Sequence, residues 1–107
     1  MERAIWLSYD LGTSGDYEGM YAWLESHGAQ ECGSSVAFLK SYGSEGNFLE
    51  ALKADVGDAV TLNRRSRIHV LYKDDGRLRG SLLFGKRKAP PWIGFGDRAK
   101  QEFDEDR

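Results

Sequence analysis

Residues 4–11 read Ala-Ile-Trp-Leu-Ser-Tyr-Asp-Leu, and this stretch decides the fold that the sequence predicts. Apolar and aromatic residues dominate it, which favours a β-strand. Successive side chains of a strand point to opposite faces. One face therefore carries Ile5, Leu7 and Tyr9, and the other carries Trp6, Ser8 and Asp10. The strand ends in a carboxylate followed by a glycine-containing loop, so Asp10 is a candidate ligand for a metal or a substrate.

Two helices are predicted by apolar residues that recur at spacings of three and four. The first helix spans about residues 16–27. The second begins after a cap at Asn47 or Ser44 and ends near Val56, where we expect Gly57 to terminate it. We expect both helices to pack their apolar stripes against a sheet.

Four further segments predict strands. Their expected bounds are residues 29–32, 35–42, 67–73 and 77–84. The second of these is apolar on both faces, which is typical of a strand inside its sheet. An Asp-Asp-Gly sequence at 74–76 is a strong hairpin signal between the last two. In the last strand, alternation groups Phe84 with Leu78 and Leu82 on one face.

The order of these elements predicts an α+β fold in which two helices cover one face of an antiparallel sheet. This is a ferredoxin-like sandwich with an added C-terminal strand or hairpin. A length of 107 residues suits one domain, which we place at residues 1–96, with a charged C-terminal tail at 97–107. Between them, prolines 90 and 91 stop the strand ladder. The apolar residues after the prolines are expected to fold back onto the body: Trp92, Ile93 and Phe95.

Composition narrows the setting in which the protein works. No apolar run approaches the roughly 20 residues that a helix needs to span a bilayer, so we expect no membrane partner. The first three residues lead straight into a strand, which argues against a signal peptide. One cysteine, Cys32, cannot form an internal disulfide, so a reducing, cytoplasmic location is expected.

Charge is distributed unevenly along a chain whose formal net charge is −2. Residues 1–60 hold three basic and ten acidic residues, whereas residues 61–88 hold nine basic and two acidic ones. Such a basic block is typical of a nucleic-acid surface, or of one half of a contact with an acidic partner surface. The candidate phosphate-binding residues are Arg64, Arg65, Arg67, Arg77, Arg79, Lys86, Arg87 and Lys88.

The first part of the chain also carries a family resemblance. After the opening strand come spaced aromatic and leucine residues, a Gly-Ala pair and a stretch beginning with Glu, at Tyr17, Tyr21, Leu24, Gly28-Ala29 and 31–39. This pattern resembles the small ferredoxin-like proteins related to the CRISPR-associated spacer-acquisition subunit of the Cas-two type, including its uncharacterised stand-alone relatives. In that family the first strand ends in Tyr-Asp-Leu or a variant. The later half of the chain agrees with the family in the order of its elements.

The resemblance implies a homodimer in which the final strand of one protomer joins the sheet of the other. It places the family's metal-linked aspartate on Asp10, as both a catalytic and a metal-binding residue. Many relatives bind nucleic acid, and some have been assigned metal-dependent nuclease activity. The resemblance therefore implies DNA or RNA as a partner, and Mg²⁺ as the cofactor if the protein is a nuclease.

Each of these interpretations has a simpler alternative. Asp10 can cap its own loop by accepting backbone N–H groups, as Asp often does in turns. The possible helpers, Asp16 and Glu31, have no spacing diagnostic of a metal site. The basic residues can protect a sheet edge from aggregation instead of contacting phosphates. The nucleic-acid interpretation adds a role for Trp92 or Phe95, either of which can stack on an exposed base.

Two functional hypotheses follow from the sequence. In the first, a small homodimer binds nucleic acid through its basic residues, with or without magnesium-dependent endonuclease activity at Asp10. In the second, the protein is a non-catalytic protein-interaction or structural module whose acidic and basic halves serve assembly. The sequence leaves open whether the protein is an enzyme.

Overall fold

The stretch that opens the chain becomes the central strand of a five-stranded antiparallel sheet. In this computed structural model, which describes residues 2–96, the strands are β1 (Glu2–Asp10), β2 (Gln30–Glu31), β3 (Val36–Gly43), β4 (Arg67–Asp74) and β5 (Arg77–Phe84). Their order across the sheet is β2-β3-β1-β4-β5. The predicted ferredoxin-like sandwich with an added C-terminal strand is therefore confirmed. The predicted tail, 97–107, lies outside the described residues.

Two helices cover one face of this sheet, as the sequence predicts. They are α1 (Tyr17–Ser26) and α2 (Phe48–Ala59). The side chain of Asp16 accepts a hydrogen bond from a backbone N–H in the first turn of α1, at 2.9 Å. Asn47 does the same for α2 at 3.0 Å, so both helices begin where a side chain satisfies an otherwise unpaired donor.

The second helix is longer than the sequence predicts. It continues through Gly57 to Ala59, so the prediction that Gly57 terminates it was wrong. A Cβ atom at Gly57 would lie 3.5 Å from the ring of Phe84, in ordinary van der Waals contact. The last helical residue is Ala59, and Val60 caps the helix. Val60 is buried and still donates its N–H to the carbonyl of Val56. Packing therefore outweighs the roughly 1 kcal/mol preference against a helical glycine.

A register shift between β4 and β5 changes the orientation of the last strand's end. His69 pairs with Leu82, but the next residue of β4, Ile68, pairs with Phe84. The additional residue, Leu83, is buried in the core, and Phe84 packs against the core from the helix side. Alternation had grouped Phe84 with Leu82, which was wrong because a bulge inserts one residue into the strand.

The two faces of the sheet differ in what covers them. On the helix side of β1, Ile5 and Leu7 are fully buried. No helix of the described chain covers the other side, which we call the open face. Alternation along the strands assigns to the open face Glu2, Ala4, Trp6, Ser8 and Asp10 of β1, Val36, Phe38 and Lys40 of β3, Arg67, His69, Leu71 and Lys73 of β4, and Leu78 and Leu82 of β5.

The segment after β5 does not pack into the core. Trp92, Ile93 and Phe95 are 70%, 67% and 56% exposed, so they stay outside the core, although Trp92 lines a groove beside β4 and β5. Backbone hydrogen bonds from Ile93 to Pro90 and from Phe95 to Trp92 hold this segment in turns of its own. Neither described helix has the length and apolar character needed to cross a bilayer.

Candidate nucleic-acid interface

Six of the eight candidate cations gather where β1 and β5 end and β4 begins. They are Arg64, Arg65, Arg67, Lys86, Arg87 and Lys88, and we call this region the basic end. Arg64 and Arg65 line one hollow with the loop after β1, and Arg64 lines a second with Lys86. Arg67 lines a groove with Arg87 and Lys88. The fold thus brings together two basic segments, 64–67 and 86–88, whose residues are up to 24 positions apart in the chain.

The other two candidates lie elsewhere. Arg77 and Arg79 follow the hairpin turn on β5, about 23 Å and about 17 Å from the end of that strand if seven and five residues rise about 3.3 Å each. The Nε of Arg79 lies 3.2 Å from a carboxylate oxygen of Asp74. The sequence groups all eight residues, whereas the structure divides them into a cluster of six and a separate pair.

The ion pairs of the described chain do not involve the basic end. Within residues 2–96, none of the six forms a salt bridge. The Nε of Arg67 is also buried without a hydrogen-bond partner among the described residues. Guanidinium groups bind phosphate oxygens through charge-assisted hydrogen bonds, so the basic end offers donors that the described chain leaves unused.

Local backbone geometry sets the direction of both basic segments. Gly85 has φ +97°, and a Cβ atom there would lie 2.5 Å from the carbonyl oxygen of Ser66, so only glycine fits. It turns the chain directly from β5 into the Lys-Arg-Lys sequence. On the other segment, the side chain of Asn63 accepts the N–H of Arg65 at 2.8 Å, and Asn63 donates its own N–H to the buried Ser66 hydroxyl.

A groove of about 660 Å³ runs from the basic end onto the open face between β4, β5 and the segment after β5. Its lining includes Arg67, His69, Arg87, Lys88 and Trp92. Burial, together with the charges of Arg67 and Arg87, holds the pKa of His69 below its ordinary value of 6.5. His69 is therefore neutral near pH 7, and the positive charge of the groove comes from the arginine and lysine side chains.

A row of apolar side chains crosses the open face, and sequence reasoning did not identify it as a functional surface. Phe38 of β3 pairs with Trp6 of β1, which pairs with Leu71 of β4, which pairs with Gly80 of β5. The ring centroids of Trp6 and Phe38 are 4.9 Å apart, with a tilt of 35°. Alternation along β1 already places Trp6 on the face opposite the buried Ile5. The contact between Trp6 and Phe38, however, depends on how β1 and β3 pair, which the sequence does not show.

Asp10 closes its own loop. Its Oδ1 accepts the backbone N–H of Gly12 at 3.1 Å, and its register partner on β4 is Arg67. The two possible helpers are used in the same way, since Asp16 accepts two backbone N–H groups and Glu31 accepts one. This is the simpler alternative that the sequence offered for Asp10.

Residues 2–96 of one chain do not by themselves provide a Mg²⁺ site at Asp10. Magnesium requires several oxygen ligands in near-octahedral geometry. Within residues 2–96, no three His, Cys, Asp or Glu side chains lie together as a metal-binding group, and the side chain directly across from Asp10 is a cation. A metal held jointly by two copies of Asp10 remains a prediction from the family resemblance.

A second cluster superficially resembles a catalytic triad. Ser26 Oγ lies 3.2 Å from His27 Nδ1, and His27 Nε2 lies 3.5 Å from a carboxylate oxygen of Asp55. However, Nδ1 is 2.8 Å from the carbonyl oxygen of Trp23, which can only accept, so this nitrogen carries a proton. It cannot also accept the proton of Ser26, as a triad requires. The cluster ends α1 and links it to α2.

Comparison of the chain with protein-family models, with curated proteins and with solved structures finds no match. The resemblance to the Cas-two type rests on the sequence pattern of the first part of the chain and remains a prediction. What the protein binds is therefore argued from its own surface.

Proposed function

We propose that the protein binds nucleic acid through the basic end. The observation that supports this function most strongly is the gathering of six cations from two chain segments, 64–67 and 86–88, at one end of the sheet. Phosphate groups release condensed counterions when they meet such a cluster, which favours binding at low salt. The absence of ion pairs to these six side chains within residues 2–96 leaves their charge available to a polyanion.

Fluorescence anisotropy tests this function. The purified protein is titrated into short labelled single- and double-stranded DNA and RNA at two salt concentrations. We expect binding to at least one of the four, weaker at the higher salt. The double variant Arg64→Ala/Arg65→Ala should bind more weakly than wild type.

The matched control is Arg77→Ala/Arg79→Ala, which removes the same charge at the far end of the hairpin. We expect it to bind like wild type. Equal weakening in both variants would show that net charge, not the basic end, governs the affinity. Binding to none of the four nucleic acids would refute the function and leave assembly with another protein as the use of the charged surface.

Self-association belongs to the same proposal. The outer edge of β5 has no partner strand within the described chain, and Leu78 on it is exposed. Unpaired edges are sites where a second chain can add a strand, as the family resemblance implies for a homodimer. Light scattering during gel filtration gives the mass in solution. A monomer at all concentrations would remove the dimer from the proposal without affecting binding by the basic end.

Catalysis and location are further parts of the proposal that rest on the resemblance and the composition. Cleavage, if Asp10 takes part in it, requires Mg²⁺ or Mn²⁺ and two copies of the chain. The same titration samples, run on a gel with and without the metal, show whether the bound nucleic acid is cut. A single exposed, unpaired cysteine is consistent with the reducing cytoplasm as the site of action.

A further inference from the structure

We propose that the open face binds the bases of single-stranded nucleic acid, with Trp6 and Phe38 as the stacking platform. This inference rests on the proposed function and names its substrate class: unpaired nucleotides instead of duplex. It concerns a different surface from the basic end, which contacts only phosphates. The two surfaces can therefore be tested separately.

The shape of the open face suits planar bases. Trp6 and Phe38 lie on the two adjacent strands β1 and β3, and both are partly exposed on a face without a covering helix. The row continues through Leu71, which is 45% exposed and lies over Gly80, where a Cβ atom would come within 2.9 Å of it. Bases that are free of a duplex stack on such aromatic side chains whatever their sequence.

The row of aromatic and apolar residues is continuous with the basic end. Leu71 follows Arg67 by four residues along β4, a distance of about 13 Å at a rise of about 3.3 Å per residue. His69 lies between them, opposite Ser8 of β1. One short oligonucleotide can therefore place phosphates beside Arg67 and bases on Trp6.

Charge favours a polyanion over a second copy of the chain as the occupant of the open face. The cations assigned to this face are Lys40, Arg67 and Lys73, and Arg87 lines the groove at its margin. The carboxylates assigned to the described open face are Asp10 and Glu2, at opposite ends of β1, so the cations on the face and at its margin outnumber them. Two such faces packed together would bring cations against cations, whereas a nucleic-acid strand supplies the opposite charge.

The experiment compares wild type with the double variant Trp6→Leu/Phe38→Leu, which keeps apolar side chains and removes both rings. The probes are a labelled single-stranded thymidine 12-mer, the same oligonucleotide with its bases replaced by abasic sites, and a 12-base-pair duplex. The control variant is Tyr21→Leu, which removes an exposed ring from α1 on the other side of the sheet. Circular dichroism verifies the fold of each variant, and Phe38→Leu alone replaces the double variant if that variant does not fold.

We expect the double variant to bind the 12-mer about ten- to a hundredfold more weakly, the range given by one stacked base. Tyr21→Leu should have no effect, and the double variant should bind duplex and abasic probes like wild type. Unchanged affinity for the 12-mer would overturn the inference while leaving phosphate binding by the basic end intact. A wild-type dimer that the double variant converts to monomer, with binding unchanged, would identify a second copy as the occupant and overturn it too. If wild type binds no probe, the proposed function fails and this inference with it.

Discussion

At the scale of single residues, the carboxylates that attract a catalytic interpretation serve the backbone. Asp10, Asp16 and Glu31 each accept at least one backbone N–H within two or three positions. Asp is favoured at such turns because its short side chain reaches these donors. Hydrogen bonding to the backbone is therefore enough to explain a carboxylate at the end of a strand. Substitutions can separate this structural role from a catalytic one.

Replacement of Asp10 by Asn separates the charge of the side chain from its hydrogen bond. Asn keeps an acceptor for the N–H of Gly12, so we expect the free energy of unfolding to change by less than about 0.5 kcal/mol. The lost negative charge lies opposite Arg67 at the basic end, and we expect oligonucleotide affinity to rise about two- to fivefold, equivalent to a surface charge interaction of about 0.5–1 kcal/mol. Urea denaturation and anisotropy measure the two effects.

Asp10→Ala is the companion variant, because it removes the acceptor as well as the charge. It should gain the same affinity and lose a little stability. A Mg²⁺-dependent cleavage activity that disappears in both variants would contradict a purely structural role and assign Asp10 to a metal site.

Asp16 gives the fold a dependence on pH. It accepts the N–H groups of Thr61 at 2.8 Å and Gly19 at 2.9 Å, and these bonds, that of Thr61 first, hold its pKa below the ordinary value of 3.8. The folded state then binds fewer protons than the unfolded state. Ionised Asp16 therefore stabilises the folded state. This stabilisation is complete above the pKa of Asp16 in the unfolded state and is lost as the pH falls through its pKa in the folded state.

We therefore expect wild type to lose more stability than Asp16→Asn between about pH 6 and about pH 2.5. Asn keeps an acceptor but cannot titrate, so the difference between the two urea midpoints isolates this group from the other carboxylates. If the urea midpoints of wild type and Asp16→Asn changed in parallel across that pH range, Asp16 would have the same pKa in the folded and unfolded states.

At the scale of elements, two helical glycines look alike in sequence and differ in their surroundings. Gly19 of α1 faces α2 so closely that a Cβ atom would lie 2.7 Å from the carbonyl oxygen of Ala59 and would also overlap Asp16. Gly57 of α2 faces the ring of Phe84 with room for a methyl group, at 3.5 Å. The contact between the two helices thus depends on Gly19 and not on Gly57.

The two Gly→Ala substitutions should change the free energy of unfolding in opposite directions. At Gly19, overpacking against backbone costs about 1–3 kcal/mol, which exceeds the gain of up to about 1 kcal/mol in helix propensity. At Gly57 only the gain remains, so we expect stabilisation of about 0.5–1 kcal/mol. Urea denaturation of both variants measures the changes, and two values of the same sign would contradict this account of the contact between α1 and α2.

The elements were predictable from sequence where local chemistry decides them. Alternation in β1, the capping residue of α2 and the Asp-Asp-Gly turn each depend on neighbours in the chain. The end of α2 and the side of Phe84 were not predictable, because each depends on a distant element: burial of Val60 for the helix and a bulge opposite β4 for the strand. The same distinction between local and long-range information applies to the candidate site. The eight cations could be identified from the sequence, but their separation into a cluster of six and a pair depends on the pairing of β4 and β5.

At the scale of the whole molecule, the fold separates charge that the composition nearly cancels. The helices carry Glu18, Glu25, Glu50, Asp55 and Asp58 against one lysine, Lys53. The open face and the basic end carry mainly cations. A protein with a sequence pI near 5.7 therefore has one cationic side and one acidic side. If it binds nucleic acid as proposed, long-range attraction and repulsion both favour one orientation of the strand.

The salt dependence of binding tests this separation of charge. For single strands, the logarithm of the affinity falls with the logarithm of salt concentration by about 0.7 per phosphate neutralised, so contact with all six cations predicts a slope of about −4. Arg64→Ala/Arg65→Ala should reduce the slope to about −3, because two phosphate contacts are lost. Arg77→Ala/Arg79→Ala should leave it unchanged, since those residues lie about 17 to 23 Å away along the hairpin. Anisotropy titrations at four or more salt concentrations give the three slopes. If both variants lowered the slope equally, the bound strand would have to extend along the whole hairpin, and the basic end would be only part of a longer contact.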